Sequence, residues 1–428
     1  MKSNNREIVL CFISIFLLIS QAAYAADLAT LQKTAINNRE VIKKYQANLK
    51  RSEHEITRVR GPYLPSLNIA YTMNSLDEPT FIESRENSVS YGAVSWNLFS
   101  GFRDKYNVKS AVLEREVENY SLNGILQDIQ LNVALGYLLV YDRRANLQVA
   151  EDTYKTLDKL FRDSQSRLAV GLIGQNELLK FKVDFDQADI TVKAAKAGLD
   201  KSVHLLGREV GAPVRLDELP FDEFTAIPSL GAEENYQEKM LTKRSELLAL
   251  QSMVDAVSMR LKSQYSAYYP QVDLVGSYRK YDDDYLNGSG EYYDEELRAQ
   301  VVVSLNLFDG FSRESAISIT KLEEKALKYD LAELKNTFTT DLNNLFIDYK
   351  VSLENISVAE ENIKHAKESL RISQLKYKEG LESEIDLLSA VTNLSRAQYN
   401  YVTVIRTVFE NYFHITRMVE GFKMQAES

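Results

Sequence analysis

The sequence predicts an α+β membrane protein, with long antiparallel α-helical coiled-coil hairpins, four β-strands per protomer and an internal two-fold repeat. Three observations predict it. An export leader opens the chain, two halves match at a constant offset, and heptad helices sit beside period-two strands.

Lys2 and Arg6 precede an apolar run from Ile8 to Ser20 that only Ser14 interrupts, and Ala23-Tyr24-Ala25 offers a small-x-small cleavage pattern. Residues 1–25 therefore read as a signal peptide. The run is too short for a spanning helix, which needs about 20 apolar residues. Cys11, the one cysteine, precedes most of this run, and a lipidation cysteine should follow it. A chain cut at Ala26 then has no disulfide, thiolate metal site or thiol nucleophile. Loss of Lys2, Arg6 and Glu7, a net +1, takes the charge from −10 to −11. An acidic chain without a basic cluster argues against a nucleic-acid partner.

Trp96-Asn97-Leu98-Phe99-Ser100-Gly101-Phe102 matches Leu305-Asn306-Leu307-Phe308-Asp309-Gly310-Phe311 at an offset of 209. Gly171-Leu172 and Gly380-Leu381 keep that offset, as do Leu178-Leu179 and Leu387-Leu388. The expected organisation is a first repeat over 26–212, an inter-repeat segment over 213–232 and a second repeat over 233–428. Pro213, Pro220 and Pro228 mark the join, which reads as a compact surface segment.

Within the second copy, Leu342, Tyr349, Ile356, Ile363, Leu370 and Tyr377 fall seven apart. The first copy offers Val133, Val140, Leu147, Tyr154, Phe161 and Leu168 at the same places. Such heptads predict coiled-coil helices over 102–170 and 311–379, each about 100 Å long at ~1.5 Å per residue. Gly171 and Gly380 end them, and helical periodicity returns over 175–208 and 384–420. Two hairpins, each turning at a glycine able to adopt positive φ, are expected.

Strands are expected near 66–74, 88–98, 271–280 and 296–308. Leu67, Ile69, Tyr71 and Met73 alternate with Asn68, Ala70, Thr72 and Asn74. In the last strand Leu297, Val301, Val303 and Leu305 form the expected lipid-facing row. Gly92, Val94, Trp96 and Leu98 form the apolar row of the second strand. Eleven of the 25 tyrosines lie in 60–100 and 262–308, which suits an interfacial aromatic girdle. Four strands cannot enclose a pore, and open edges cannot stay unpaired in lipid, so an oligomer must complete the barrel.

The duplicated units, the PYLPSLNIAY and YYPQVDLVGSY segments and the paired NLFSGF and NLFDGF segments resemble the TolC-type outer-membrane efflux proteins across the chain after the leader. The resemblance implies a homotrimer in the outer membrane of a Gram-negative bacterium, with a twelve-stranded barrel in lipid and a large periplasmic helical tunnel. It implies a passive channel, opened by a periplasmic adaptor (membrane fusion) protein and an inner-membrane RND or ABC transporter, in efflux or type I secretion.

The family's adaptor-docking turn is matched by Val170, Gly171 and Leu172, with Gly380 and Leu381 as the second turn. Its gate residues are matched by Tyr377 and Asp386, while Glu177 stands where the family has aspartate. Glu382 stands where the family carries an arginine, and Ser389 replaces a second constriction aspartate. The arginine-to-acid link of the family therefore cannot form.

His54, His204, His365 and His414 show no metal-ligand spacing, and no phosphate loop or nucleophile elbow appears. No catalytic residue, cofactor or metal is expected, and the chain does not read as an enzyme. The contrasting reading is a structural or adhesive periplasmic coiled coil without a channel.

Overall fold

A computed structural model describes residues 26–81, 84–282 and 295–422. The expected leader, and the segment between the last two expected strands that holds Asp283, Asp284 and Gly288-Ser289-Gly290, lie outside the described residues. In chain order the elements are α1 (Leu28–Asn38), α2 (Glu40–Arg60), β1 (Ser66–Ser75), β2 (Glu86–Phe99), α3 (Arg103–Ala169) and α4 (Gln175–Val210). The same series returns as α5 (Glu233–Lys243), α6 (Ser245–Gln264), β3 (Gln271–Asp282), β4 (Glu295–Ser304), α7 (Ser312–Lys378) and α8 (Glu384–Met418).

Two compact units result, and each draws on both repeats. One holds residues 26–42, Ile125–Met240 and 339–422; the other holds Lys43–Gly124 and Leu241–Phe338.

The second unit carries an antiparallel sheet in the order β1-β2-β3-β4. Its register gathers the apolar rows on one face: Ile69 opposite Gly92, Leu67 opposite Val94, Trp96 opposite Leu274 and Val301 opposite Leu274 from the other side. The opposite face is polar. There Asn97 donates to Asp273 at 2.7 Å, Arg279 lies over the Tyr91 ring, and Arg298 pairs with Glu296. The apolar row is exposed, with Ile69, Leu297, Val301 and Val303 all more than half uncovered.

β4 ends at Ser304, so Leu305 is not a strand residue as expected. The side chain of Asn306 accepts from the Phe308 N–H, and Arg313 donates to the Asn306 carbonyl at 3.1 Å. These bonds satisfy the backbone where a ladder would otherwise continue.

The repeated NLF-Ser/Asp-Gly-Phe segment turns strand into helix. Ser100 Oγ accepts from the Asp104 N–H and Asp309 Oδ2 from the Arg313 N–H, capping α3 and α7 identically. Gly101 has φ +63°, and a Cβ there would lie 2.7 Å from the Ser266 carbonyl. Phe102 and Phe311 are also left-handed, and each ring meets the preceding phenylalanine edge-on.

In the first unit the second-copy heptad is buried at Leu342, Tyr349, Ile356, Leu370 and Tyr377. The first copy departs from expectation. Val133 and Val140 are buried, but Leu147, Tyr154, Phe161 and Leu168 are only half-buried. The buried line there is Ala150, Leu157 and Ser164. Tyr154 and Phe161 instead stack on Phe185 of α4, with ring centroids 5.1 and 5.5 Å apart.

The inter-repeat segment is not simply a surface segment, because Leu219, Phe221 and Phe224 are buried. Tyr137 anchors it: its hydroxyl accepts from the Phe221 N–H at 2.8 Å and donates to Glu223 at 3.1 Å. Burial raises the Tyr137 pKa well above the ordinary tyrosine value, which keeps that donor protonated. The end of the described chain is clasped likewise, with Gln127 donating to the Phe422 carbonyl and accepting from its N–H.

Candidate functional site

Both long helices end in the same geometry. Gly171 and Gly380 each have φ +74°. The Gly171 N–H donates to Leu168 and the Leu172 N–H to Arg167; the Gly380 N–H donates to Tyr377 and the Leu381 N–H to Lys376. This pairing closes a helix on a left-handed residue, and any side chain there would be strained. The turns leave Val170, Leu172 and Leu381 more than two-thirds exposed.

Above the turns, the ends of four helices are tied together. Tyr377, only 7% exposed, donates its hydroxyl to Glu177 Oε1 at 2.7 Å, joining the last turn of α7 to the first turn of α4. Burial, and next the Glu177 hydrogen bond, push its pKa up to about 12. Arg167, near the end of α3, donates to the Tyr377 and Lys378 carbonyls at 3.2 and 2.8 Å. Its guanidinium lies 4.8 Å from the centre of the Tyr377 ring. A cation against the last carbonyls of a helix also complements its dipole. Lys180 of α4 pairs with Glu384 of α8, and this hydrogen bond holds the Glu384 carboxyl below its ordinary value.

Glu177 and Tyr377 are thus brought together, while Asp386 and Glu382 stand apart from them. Asp386 is exposed and takes part in a local cap: its N–H donates to Ser383 Oγ, which donates to Asp386 Oδ2 at 2.6 Å. Glu382 has one buried carboxylate oxygen without a hydrogen-bond partner among the described residues. Arg167 and Lys180 were not singled out by the sequence. Arg167 has a visible signal, a basic residue in the last helical turn. Nothing in the sequence tells that it caps the other repeat's helix.

Among the described residues, no helix is long and apolar enough to cross a membrane. The exposed apolar face of the sheet, beside its polar opposite face, has the alternation of lipid-facing strands.

Comparison with known proteins agrees with this architecture. TolC, an outer membrane protein of Escherichia coli, is 21% identical over 399 residues, covering 87% of this chain and 78% of that one. The alkaline protease secretion protein AprF of Pseudomonas aeruginosa is 22% identical over 283 residues, covering 64% of this chain and 58% of that one. The crystal structure of the outer membrane protein VceC of Vibrio cholerae superposes with a TM-score of 0.79 at 15% identity, covering 92% of this chain and 96% of that one. The family model of outer membrane efflux proteins matches residues 31–211 and again 237–417, once per repeat. The chain belongs to the outer membrane efflux protein family.

Proposed function

We propose that this chain is the exit-duct subunit of a tripartite efflux or type I secretion system, a passive outer-membrane channel that works as a homotrimer. A periplasmic adaptor and an inner-membrane RND or ABC transporter would supply the opening and the energy. One observation carries the reading: the sheet has a continuous exposed apolar face and two unpaired edges, β1 and β4. In lipid every backbone N–H and C=O needs a partner, so β4 must meet β1 of another copy. A purely periplasmic coiled coil gives no reason for that face.

The repeats support a ring of copies. Leu138 and Val149 of the first copy are 2% and 7% exposed, whereas their second-copy equivalents Ile347 and Val358 are 57% and 56% exposed. Conversely Leu388 is buried while its first-copy equivalent Leu179 is exposed. The two repeats thus bury different faces within a protomer, and each leaves bare a face that the other buries. A heterologous contact with the next copy would cover it, and such contacts form a ring where the rotation closes, as completion of the barrel requires.

The hairpin turns are the proposed periplasmic gate and docking end. Tyr377, Glu177, Asp386 and Glu382 form the gate, while Val170, Gly171, Leu172, Gly380 and Leu381 present apolar turns to the adaptor. Asp386 and Glu177, with Glu382 beside them in sequence, would be repeated by threefold assembly and gather carboxylates that favour cations in a narrow pore. Arg167 and Lys180 supply within one chain the basic partners that Glu382 cannot.

The test uses single cysteines on a Cys11→Ser background. Pairs placed on β1 at Ala70 and along Leu297–Val303 of β4 should give disulfide-linked trimers in outer membranes. Absence of intermolecular links at every pair would contradict closure of the barrel by copies of this chain.

A further inference from the structure

We propose that the foot of the sheet, where all four strands meet helices, carries a cationic collar that binds anionic phospholipid headgroups. This rests on the exit-duct reading and adds the lipid class that the barrel takes at its rim. β1 and β3 start at this rim, and β2 and β4 end there. Around it Arg60, Lys105, Lys109 and Lys262 are exposed, and none has an ion-pair partner among the described residues. The carboxylates close to them are engaged. Glu55 pairs with Arg58, Asp104 with Arg103 and Glu314 with Arg313, while Asp309 caps α7.

Contacts tie these cations to the apolar face. Trp96 of that face donates its indole N–H to the Tyr63 carbonyl at 3.0 Å, three residues after Arg60. Phe99, opposite Val272, meets the Phe102 ring edge-on with centroids 5.2 Å apart, and Phe102 meets Tyr269 at 5.8 Å. The Lys105 ammonium lies 5.9 Å from the centre of the exposed Phe102 ring. Apolar side chains, then exposed aromatics, then unpaired cations follow the order of layers from hydrocarbon to headgroup. Lys109 stands one turn, about 6 Å, further along α3. A headgroup layer roughly 5–8 Å deep lies within reach of its stem.

Helix dipoles account for part of this charge and fail on the rest. Arg60 and Lys262 lie in the last turns of α2 and α6, where a cation is favoured. Lys105 lies in the first turn of α3, where the dipole disfavours one, and Lys109 at i+4 adds like-charge repulsion. Nor does duplication supply them, because the second-copy equivalents of Lys105 and Lys109 are Glu314 and Ser318. Unpaired cations on a chain of net charge −10 thus gather beside the apolar face. Anionic headgroups attract such juxtamembrane charge.

Trp96, the one tryptophan of the chain, reads this rim directly. The full-length trimer is reconstituted into bilayers of phosphatidylcholine and phosphatidylglycerol in equal parts, with bromine on the acyl chains of one lipid or the other. Brominated phosphatidylglycerol should quench Trp96 as though enriched at least about threefold over brominated phosphatidylcholine, and less so as salt rises. The R60Q/K105Q/K109Q/K262Q variant should lose that preference with the trimer intact, and R60K/K105R/K109R/K262R should retain it. If the glutamine variant fails to assemble, K105Q/K109Q carries the test and should lower the preference by about half.

Equal quenching by the two lipids in the wild type, or a preference unchanged in the glutamine variants, would overturn the proposal. So would loss of the preference on adding inorganic phosphate at matched ionic strength, since the collar would then be a site for free anions. No quenching by either lipid would contradict the exit-duct reading itself, because the apolar face would then lie outside the hydrocarbon.

Discussion

The Tyr377 hydroxyl donates to Glu177 at 2.7 Å, so one side chain of the second repeat holds the start of the first repeat's return helix. Tyr377 continues the heptad and is buried, so packing and linking are done by the same residue. Tyr377→Phe keeps the packing and removes the donor. A hydrogen bond to a charged group is worth up to about 3 kcal/mol when buried, and less here because Glu177 is part-exposed. The variant should assemble normally and conduct more in planar bilayers. The folded pKa is raised from 10.0 to about 12, so the link's stabilisation is complete below pH 10 and is lost as pH rises toward 12. Wild-type conductance should therefore show no tyrosine-dependent change near neutrality.

Lys180 and Glu384 should respond to acid instead. The Glu384 carboxyl is held below its ordinary 4.5, so its contribution is present above that value and is lost as pH falls below it. The pair is partly solvated and is worth less than about 1 kcal/mol. Conductance of the wild type should rise below pH 4.5, and Glu384→Gln should remove that rise. An identical acid response in the variant would assign it to another carboxylate.

Val301 and Val302 are adjacent but lie on opposite sheet faces, Val301 across from Leu274 and Val302 across from Asp273. Val301→Arg should cost about 2–4 kcal/mol if it meets lipid near the midplane. Val302→Arg joins the polar face and should be tolerated. Heat-resistance of the assembled barrel on gels checks both, and equal damage would contradict the assignment of faces.

Much of this was legible in the sequence because periodicity and offset are local signals. Pairing of Leu67 with Val94 and Tyr278 with Leu297 follows from the alternation that marked each strand. The heptad located α7 well and α3 less well, since Phe185 draws Tyr154 and Phe161 onto α4. Partners of single charges were not legible. Arg167 and Lys378 are 211 residues apart, and Lys180 and Glu384 are 204 apart. No short motif encodes which of many charged residues will meet across the two repeats. Asp386 is a gate carboxylate by the family resemblance alone, and the structure adds a local cap with Ser383.

Val358 tests the ring of copies. It is exposed in the protomer while its repeat equivalent Val149 is buried. Val358→Glu should lower the yield of trimer at least several-fold while leaving each protomer's helicity unchanged. Analytical ultracentrifugation and circular dichroism separate the two effects. Unchanged trimer yield would remove this face from the contact between copies.

The most direct measurement is electron microscopy of the detergent-purified full-length protein, averaged without imposed symmetry. A threefold particle is expected, with its barrel inside the detergent belt. A stable single-chain particle, recovered from the soluble periplasm without detergent, would contradict the outer-membrane duct.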